Sequence, residues 1–150
     1  MPGQHGSRGP WGALPLVVDT SAWARAHHPQ VREPWTRALL ADRVRISTLV
    51  RFEVLLTARG GPTFDKLAEE LSAWRPAPHT TAVLRAAQDA MRTLAHRSSG
   101  AQRLPIVDYL VAAAAQEIGG AVLHYDGDYD TLAEIMEFES IWLAPPGSLP

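Results

Sequence analysis

The chain has 150 residues, 46% apolar and 20% charged, which is enough for one globular domain around a single core. It contains no cysteine, which excludes disulfides, thiolate metal sites and cysteine nucleophiles and suits a reducing cytoplasm. The net charge of −2 argues against simple polyanion binding. Its distribution is uneven: all 14 Lys and Arg and half of the 16 Asp and Glu lie at or before Arg103, giving +6 there and −8 over residues 104–150, a pattern that permits a basic surface beside an acidic pocket.

Met1 to Pro10 is polar and Gly- and Pro-bearing, so residues 1–13 are expected as a flexible N-terminal tail, neither a signal peptide nor a membrane span. Leu14 to Val18 is short, apolar and β-branched, the composition of a strand covered on both faces. It runs into Asp19, followed by Thr20 and Ser21, which can cap a helix. Open α/β sheets bind ligands beyond the carboxyl ends of their strands, so Asp19 is a candidate ligand-binding carboxylate as well as a candidate cap. Thr20 to His28 reads as a short helix stopped by Pro29. Val31 to Asp42, with Trp35, Leu39 and Leu40 at helical spacing, reads as a second helix. Arg43 to Ser47 alternates charged and apolar residues and predicts a strand nearer an edge.

A helix is predicted over Leu49 to Arg59, with Gly60-Gly61-Pro62 as its stop. Within it, the helical neighbours of Glu53 are Leu49, Val50, Leu56 and Thr57, none of them basic. A carboxylate among apolar neighbours is costly unless its charge is compensated. Glu53 is therefore a functional candidate, with a solvent-facing place at the edge of the apolar stripe as the alternative. Phe64 to Trp74 is an amphipathic helix burying Leu67, Leu71 and Trp74, broken by Arg75-Pro-Ala-Pro78. Thr80 or Thr81 caps a long helix to about His96, with Val83, Leu84, Ala87, Met91, Leu94 and Ala95 inward and Arg85, Arg92 and Arg97 outward.

Ile106 to Ile118 is alanine-rich, carries only Asp108 and Glu117 as charges, and reads as a helix buried on most sides, closed by Gly119-Gly120. Asp108 falls in its first turn, where the helix dipole alone accounts for a negative charge. Ala121 to Tyr125 is a strand ending in Asp126-Gly-Asp-Tyr-Asp130, which repeats the opening pattern of an apolar strand followed by Asp. A short helix marked by Leu132, Ile135 and Met136 and a last strand, Ile141 to Ala144, complete a domain over 14–144, with 145–150 as a C-terminal tail.

Strands separated by helices predict an α/β fold, a mainly parallel sheet covered on both faces, in which the first and third strands end on one rim. Asp19 and Asp126 then converge there, joined by Glu53 and Asp108. Four crowded acids repel one another and cannot all ionise cheaply without a cation. Oxygen ligands without His or Cys select Mg²⁺ or Mn²⁺ over zinc, and such ions activate water against a phosphodiester. An EF-hand starting at Asp126 would need Gly at its sixth position, where Thr131 stands. A phosphatase with Asp19 as nucleophile would need a second Asp two residues on, where Ser21 stands.

Over roughly residues 15–144 the chain resembles the PIN domain, specifically the VapC-like toxin ribonucleases of bacterial toxin–antitoxin pairs. The resemblance rests on Val17-Val-Asp-Thr-Ser21, on Ser47-Thr-Leu-Val-Arg-Phe-Glu53, on Pro105-Ile-Val-Asp-Tyr-Leu-Val-Ala-Ala-Ala114 and on Leu123-His-Tyr-Asp-Gly-Asp-Tyr-Asp130, in that order. It implies a three-layer α/β/α sandwich and a Mg²⁺- or Mn²⁺-dependent endoribonuclease. Carried over by position, Asp19, Glu53, Asp108 and Asp126 are the catalytic, metal-holding acids. Thr20 and Ser21 stand beside them, either holding a carboxylate in place or touching a metal-bound water, and Asp128 is either an accessory ligand or a group just behind the ligands. Tyr109, at a position often aliphatic in relatives, and Tyr129, where Phe is common, depart from the pattern while keeping its bulk. Arg51, Arg92 and Arg97 are candidate contacts to the RNA backbone. The resemblance also implies a cognate antitoxin and a homodimer; Trp23, Trp35, Trp74 and the early helices are candidates for the dimer face, with a place in the core as the alternative, favoured for Trp74. Two alternatives stay open: a PIN nuclease of RNA processing, and a non-catalytic antitoxin-binding module.

Overall fold

The structure is a computed structural model and describes residues 9–150; residues 1–8 of the expected N-terminal tail lie outside the described residues. One sheet runs through the molecule in the order β3-β2-β1-β4-β5, with every neighbouring pair parallel. Its strands are β1 (Leu16–Val18), β2 (Val44–Ile46), β3 (Arg75–Pro76), β4 (Ala121–His124) and β5 (Glu139–Trp142). The helices among the described residues are α1 (Thr20–Trp23), α2 (Pro29–Leu40), α3 (Thr48–Leu56), α4 (Gly61–Ser72), α5 (Thr81–Arg97), α6 (Ile106–Glu117) and α7 (Asp128–Ala133).

Alternation along the strands builds the layers, because successive side chains point to opposite faces. Leu16 and Val18 of β1 join Val44, Ala121, Leu123 and Ile141 under α1 and α2. Val17 points the other way and, with Ile46 and Val122, packs under α3 to α7. The result is the expected α/β/α sandwich, with a sheet that is parallel throughout. Helix α6 is the reason one face is so dry: Val111 and Ala112 to Ala115 are all buried, and small side chains let this helix lie close against β1 and β4.

Several boundaries differ from the sequence reading. Pro29 begins α2 instead of stopping α1, which ends at Trp23; a first-turn proline has no N–H to waste and has a helical φ already. Gly61-Pro62 likewise opens α4. Arg75-Pro76 forms the edge strand β3, paired with Arg45 and Ile46, so β2 is an inner strand; proline is tolerated at an edge. On α5 the buried stripe is Val83, Ala87, Ala90 and Leu94, whereas Leu84, Met91 and Ala95, expected inward, are exposed. Trp74 is half-buried and, with Trp23 and Trp35, lines an open groove of about 760 Å³ between α1, α2 and the end of α4. Its ring meets that of Trp35 edge-on at 5.4 Å.

Both terminal segments are packed where they are described. Trp11 is buried and its indole N–H donates to the Leu143 carbonyl at 3.3 Å. Leu149 is buried in the same cluster, and its N–H donates to the Tyr125 hydroxyl at 2.8 Å. No helix among the described residues is long and apolar enough to cross a membrane.

Candidate metal centre

Strands β1 and β4 lie side by side in parallel, Val18 against Leu123, so the residues that follow each strand emerge together on one rim. Asp19 follows β1 at once; its N–H still donates to the Leu123 carbonyl at 3.0 Å. Its carboxylate does two things. Oδ2 caps α1, accepting the Ser21 N–H at 3.1 Å and the Ser21 hydroxyl at 2.5 Å, while Oδ1 accepts the Tyr129 hydroxyl at 2.8 Å. The Ser21 oxygen also accepts the Tyr125 N–H at 2.9 Å, which ties the end of β1 to the end of β4.

Asp126 sits in the turn from β4 into α7. Its Oδ1 accepts the Asp128 N–H at 3.0 Å, the side-chain-to-backbone turn that Asp forms readily. Asp108 stands in the first turn of α6 and is buried. One carboxylate oxygen from each of Asp108, Asp126 and Asp128 lies within 4.8 Å of the other two. Asp128, ranked as accessory from the sequence, is thus a full member of the cluster. Asp19 is not among the acids that meet at that distance. It is joined to them through Tyr129, whose hydroxyl also lies 3.3 Å from Asp108 Oδ1. Glu53 is engaged from the side, accepting the Thr20 hydroxyl at 2.7 Å.

Electrostatics follows from this crowding. Burial first, then the charges of Asp19, Asp126 and Asp128, push the Asp108 carboxyl up to about 8. Burial and Asp126 raise Asp128 as well. Tyr129 is raised well above the ordinary phenol by burial and by Asp19 and Asp108, so it keeps its proton and donates it. His124 is driven down to about 4 by burial, against the upward pull of Asp130, Asp19 and Asp126. Asp108 Oδ2 is buried without any hydrogen-bond partner, beside two further carboxylates that repel it. An orphaned hard oxygen in an all-oxygen donor set fits a divalent cation, which supplies the missing positive charge.

Of the three arginines expected at RNA, Arg97 is spent on Glu134 at 2.7 Å, Arg92 is exposed, and Arg51 is half-buried with its Nε unpartnered. Among the described residues the ion pairs are Arg37–Glu33, Arg75–Asp42 and Arg97–Glu134, none of them at the acids. Sequence reasoning missed Tyr129 as a working group, treating it as bulk alone. A buried phenol needs a partner for its hydroxyl, and its place one residue after Asp128 was the available signal.

Fold and site together define a class: parallel α/β/α domains whose carboxylates gather beyond the carboxyl ends of the central strands. The sequence model of the PIN domain matches residues 16–135, and the chain belongs to the PIN-domain family. It is 38% identical to Ribonuclease VapC18 of Mycobacterium tuberculosis (strain ATCC 25618 / H37Rv) over 135 residues, 89% of this chain and 98% of that one. To Ribonuclease VapC51 of the same strain it is 36% identical over 140 residues, 91% of this chain and 98% of that one. In fold it is similar to the DNA-bound VapBC crystal structure from Salmonella typhimurium, with a TM-score of 0.68 at 15% identity over 88% of this chain and all of that one.

Proposed function

We propose that this protein is a divalent-metal-dependent endoribonuclease acting in the cytoplasm as the toxin of a toxin–antitoxin pair. The observation that carries the reading is the meeting of Asp108, Asp126 and Asp128 around an unpartnered buried oxygen, with Asp19 tied to them through Tyr129. Asp108, Asp126, Asp128 and Asp19 would hold Mg²⁺ or Mn²⁺, with Glu53 at the side of the site. When bound, such an ion activates water and stabilises the charge that develops on the phosphate and its leaving oxygen.

The chain's own groups have defined tasks. Asp108 holds a proton near neutral pH in the metal-free site, and a bound cation would favour its ionised form. Ser21 and Tyr129 fix the two oxygens of Asp19 in different directions, and Thr20 does the same for one oxygen of Glu53. Hydrolysis of the P–O3′ bond leaves a 5′ phosphate and a 3′ hydroxyl. Arg51 and Arg92, free of acidic partners, are available to the RNA backbone. For the antitoxin we assign the groove walled by Trp23, Trp35 and Trp74, whose open aromatic walls suit an apolar side chain of a partner. A homodimer is the expected state of the chain alone, and Phe52, Leu56 and Phe64 are exposed apolar side chains that self-association would cover.

The test is cleavage of RNA by the purified protein. Activity abolished by EDTA, restored by Mn²⁺ and reduced at least about 100-fold by Asp126→Ala or Asp108→Asn supports the nuclease. Cleavage that survives EDTA, or either variant cutting at the wild-type rate, defeats it. Antitoxin binding without any cleavage would leave the non-catalytic module.

A further inference from the structure

His124 ends β4 with its ring fully buried, one residue before the rim, and nothing in the nuclease reading uses it. Its two nitrogens are nonetheless committed in opposite directions. Nδ1 accepts the Asp126 N–H at 3.1 Å. Nε2 lies 2.7 Å from the Ser140 oxygen on β5, and the Ser140 hydroxyl donates to Asp130 Oδ1 at 2.7 Å. The other Asp130 oxygen accepts the Trp142 indole N–H at 2.9 Å. With the Ser140 proton given to Asp130, Nε2 must be the protonated nitrogen and Nδ1 the acceptor, so the relay selects one tautomer. The ring is also clamped by packing: Tyr129 lies against it at 4.9 Å and Trp142 meets it edge-on at 5.0 Å.

This is not a nucleophilic triad. Serine stands between the imidazole and the acid, and the imidazole lone pair is engaged by a backbone N–H, so no base is left for the hydroxyl. What the arrangement does is hold a turn. Residues 125–127 leave the sheet while β4 ends at His124, and the Asp126 N–H is received by the imidazole instead of by a strand neighbour. The same ring buttresses Tyr129, which donates to Asp19 and adjoins Asp108. A single side chain thereby supports Asp126 through its backbone and Asp19 and Asp108 through Tyr129.

We infer that His124 is a positioning residue for the metal site, its Nδ1 setting the turn that aims Asp126 and its Nε2–Ser140–Asp130 relay locking the ring. The inference rests on the nuclease reading of the same acids. Groups of this kind, which orient ligands without touching the ion, commonly change metal affinity 10- to 100-fold when replaced.

Two substitutions separate the nitrogens. In His124→Asn the amide oxygen stands where Nδ1 was and still receives the Asp126 N–H. In His124→Gln the amide reaches the Nε2 position and leaves that N–H without an acceptor. Three readouts apply: amide hydrogen exchange of Asp126 in the metal-free protein, Mn²⁺ affinity from the EPR signal of the free ion, and kcat and KM for RNA at saturating Mn²⁺. The Asn variant, which keeps the acceptor but lacks the ring and its relay, is expected to keep the Asp126 amide protected and to bind Mn²⁺ more weakly than wild type by about 3-fold, well short of the Gln variant. For the Gln variant the expectation is lost protection, Mn²⁺ binding weakened about 10-fold or more and a lower kcat at unchanged KM. Should the Gln variant fail to fold, Ser140→Ala releases Nε2 alone and is expected to weaken Mn²⁺ about 3-fold or more.

Equal impairment of the Asn and Gln variants, or wild-type exchange and affinity in the Gln variant or in Ser140→Ala, overturns the inference and leaves His124 a packing residue. Absence of RNA cleavage by a wild-type protein in which exchange and Mn²⁺ affinity follow the expected order would sink the nuclease reading and leave the positioning role standing.

Discussion

At the scale of single residues, Asp108 and His124 give the protein an unusual pH response. The native state holds a proton on Asp108 up to about 8, whereas an unfolded Asp loses it near 4, so between those values folding takes up a proton and stability falls as pH rises. His124 works in the other direction: native imidazole stays neutral down to about 4 while the unfolded ring charges below about 6.5, so its contribution rises with pH over that interval. The two oppose each other below about 6.5, and above it Asp108 acts alone. Thermal unfolding of metal-free protein should therefore show Tm falling from pH 6.5 to 8. Asp108→Asn should flatten that fall, and Mn²⁺ should raise Tm more at pH 8 than at pH 6.5 in the wild type. Tyr129→Phe makes a simpler prediction. It leaves Asp19 Oδ1 without its donor in a buried place, which should lower stability by about 1–3 kcal/mol in denaturant titration while the Mn²⁺ response survives, because the acids themselves remain.

At the scale of elements, the approach of β1 to β4 depends on Gly120. A Cβ there would stand 2.7 Å from the Pro15 carbonyl oxygen, and backbone cannot step aside as a flexible side chain can. Gly120→Ala should force the two strands apart, lower stability by about 1–3 kcal/mol in denaturant titration, and reduce cleavage, since Asp19 and Asp126 follow those same strands. Elements with a strong period were readable: β1 and β4 from their apolar runs, α6 from its alanines. Elements whose existence depends on a partner were not. Arg75-Pro76 is a strand only because β2 presents a free edge to it. Pro29 and Gly61-Pro62 carry the same local chemistry whether they end one helix or open the next, so sequence assigns them to the wrong side. The acids followed the same division. Asp19, Asp108 and Asp126 were legible as the residues at strand ends and a helix start. The promotion of Asp128 and the bridging by Tyr129 depend on how tightly α7 turns back over the rim, of which the sequence signals only that Tyr129 directly follows an acid.

Across the whole molecule, the first and last segments of the described residues close the face covered by α1 and α2. Trp11, Leu143, Ala144 and Leu149 share one cluster, and Leu149 is held at the Tyr125 hydroxyl, next to Asp126. Leu149→Ala should lower stability by about 2 kcal/mol or more in thermal or denaturant unfolding, because its side chain is buried in that cluster. Charge is also organised at this scale. The stretch after Arg103 supplies Asp108, Asp126 and Asp128 and no Lys or Arg, so no nearby basic side chain from that stretch neutralises the cluster in advance of a cation.

The pairing of Leu16 with Ala121 has a consequence for synthesis. Leu16 and Ala121 stand 105 residues apart along the chain, and such distant parallel pairing forms slowly. A nascent or prematurely terminated chain therefore carries Asp19 with nothing to meet it. The proposed metal centre is complete only once β4 has been made and has docked beside β1.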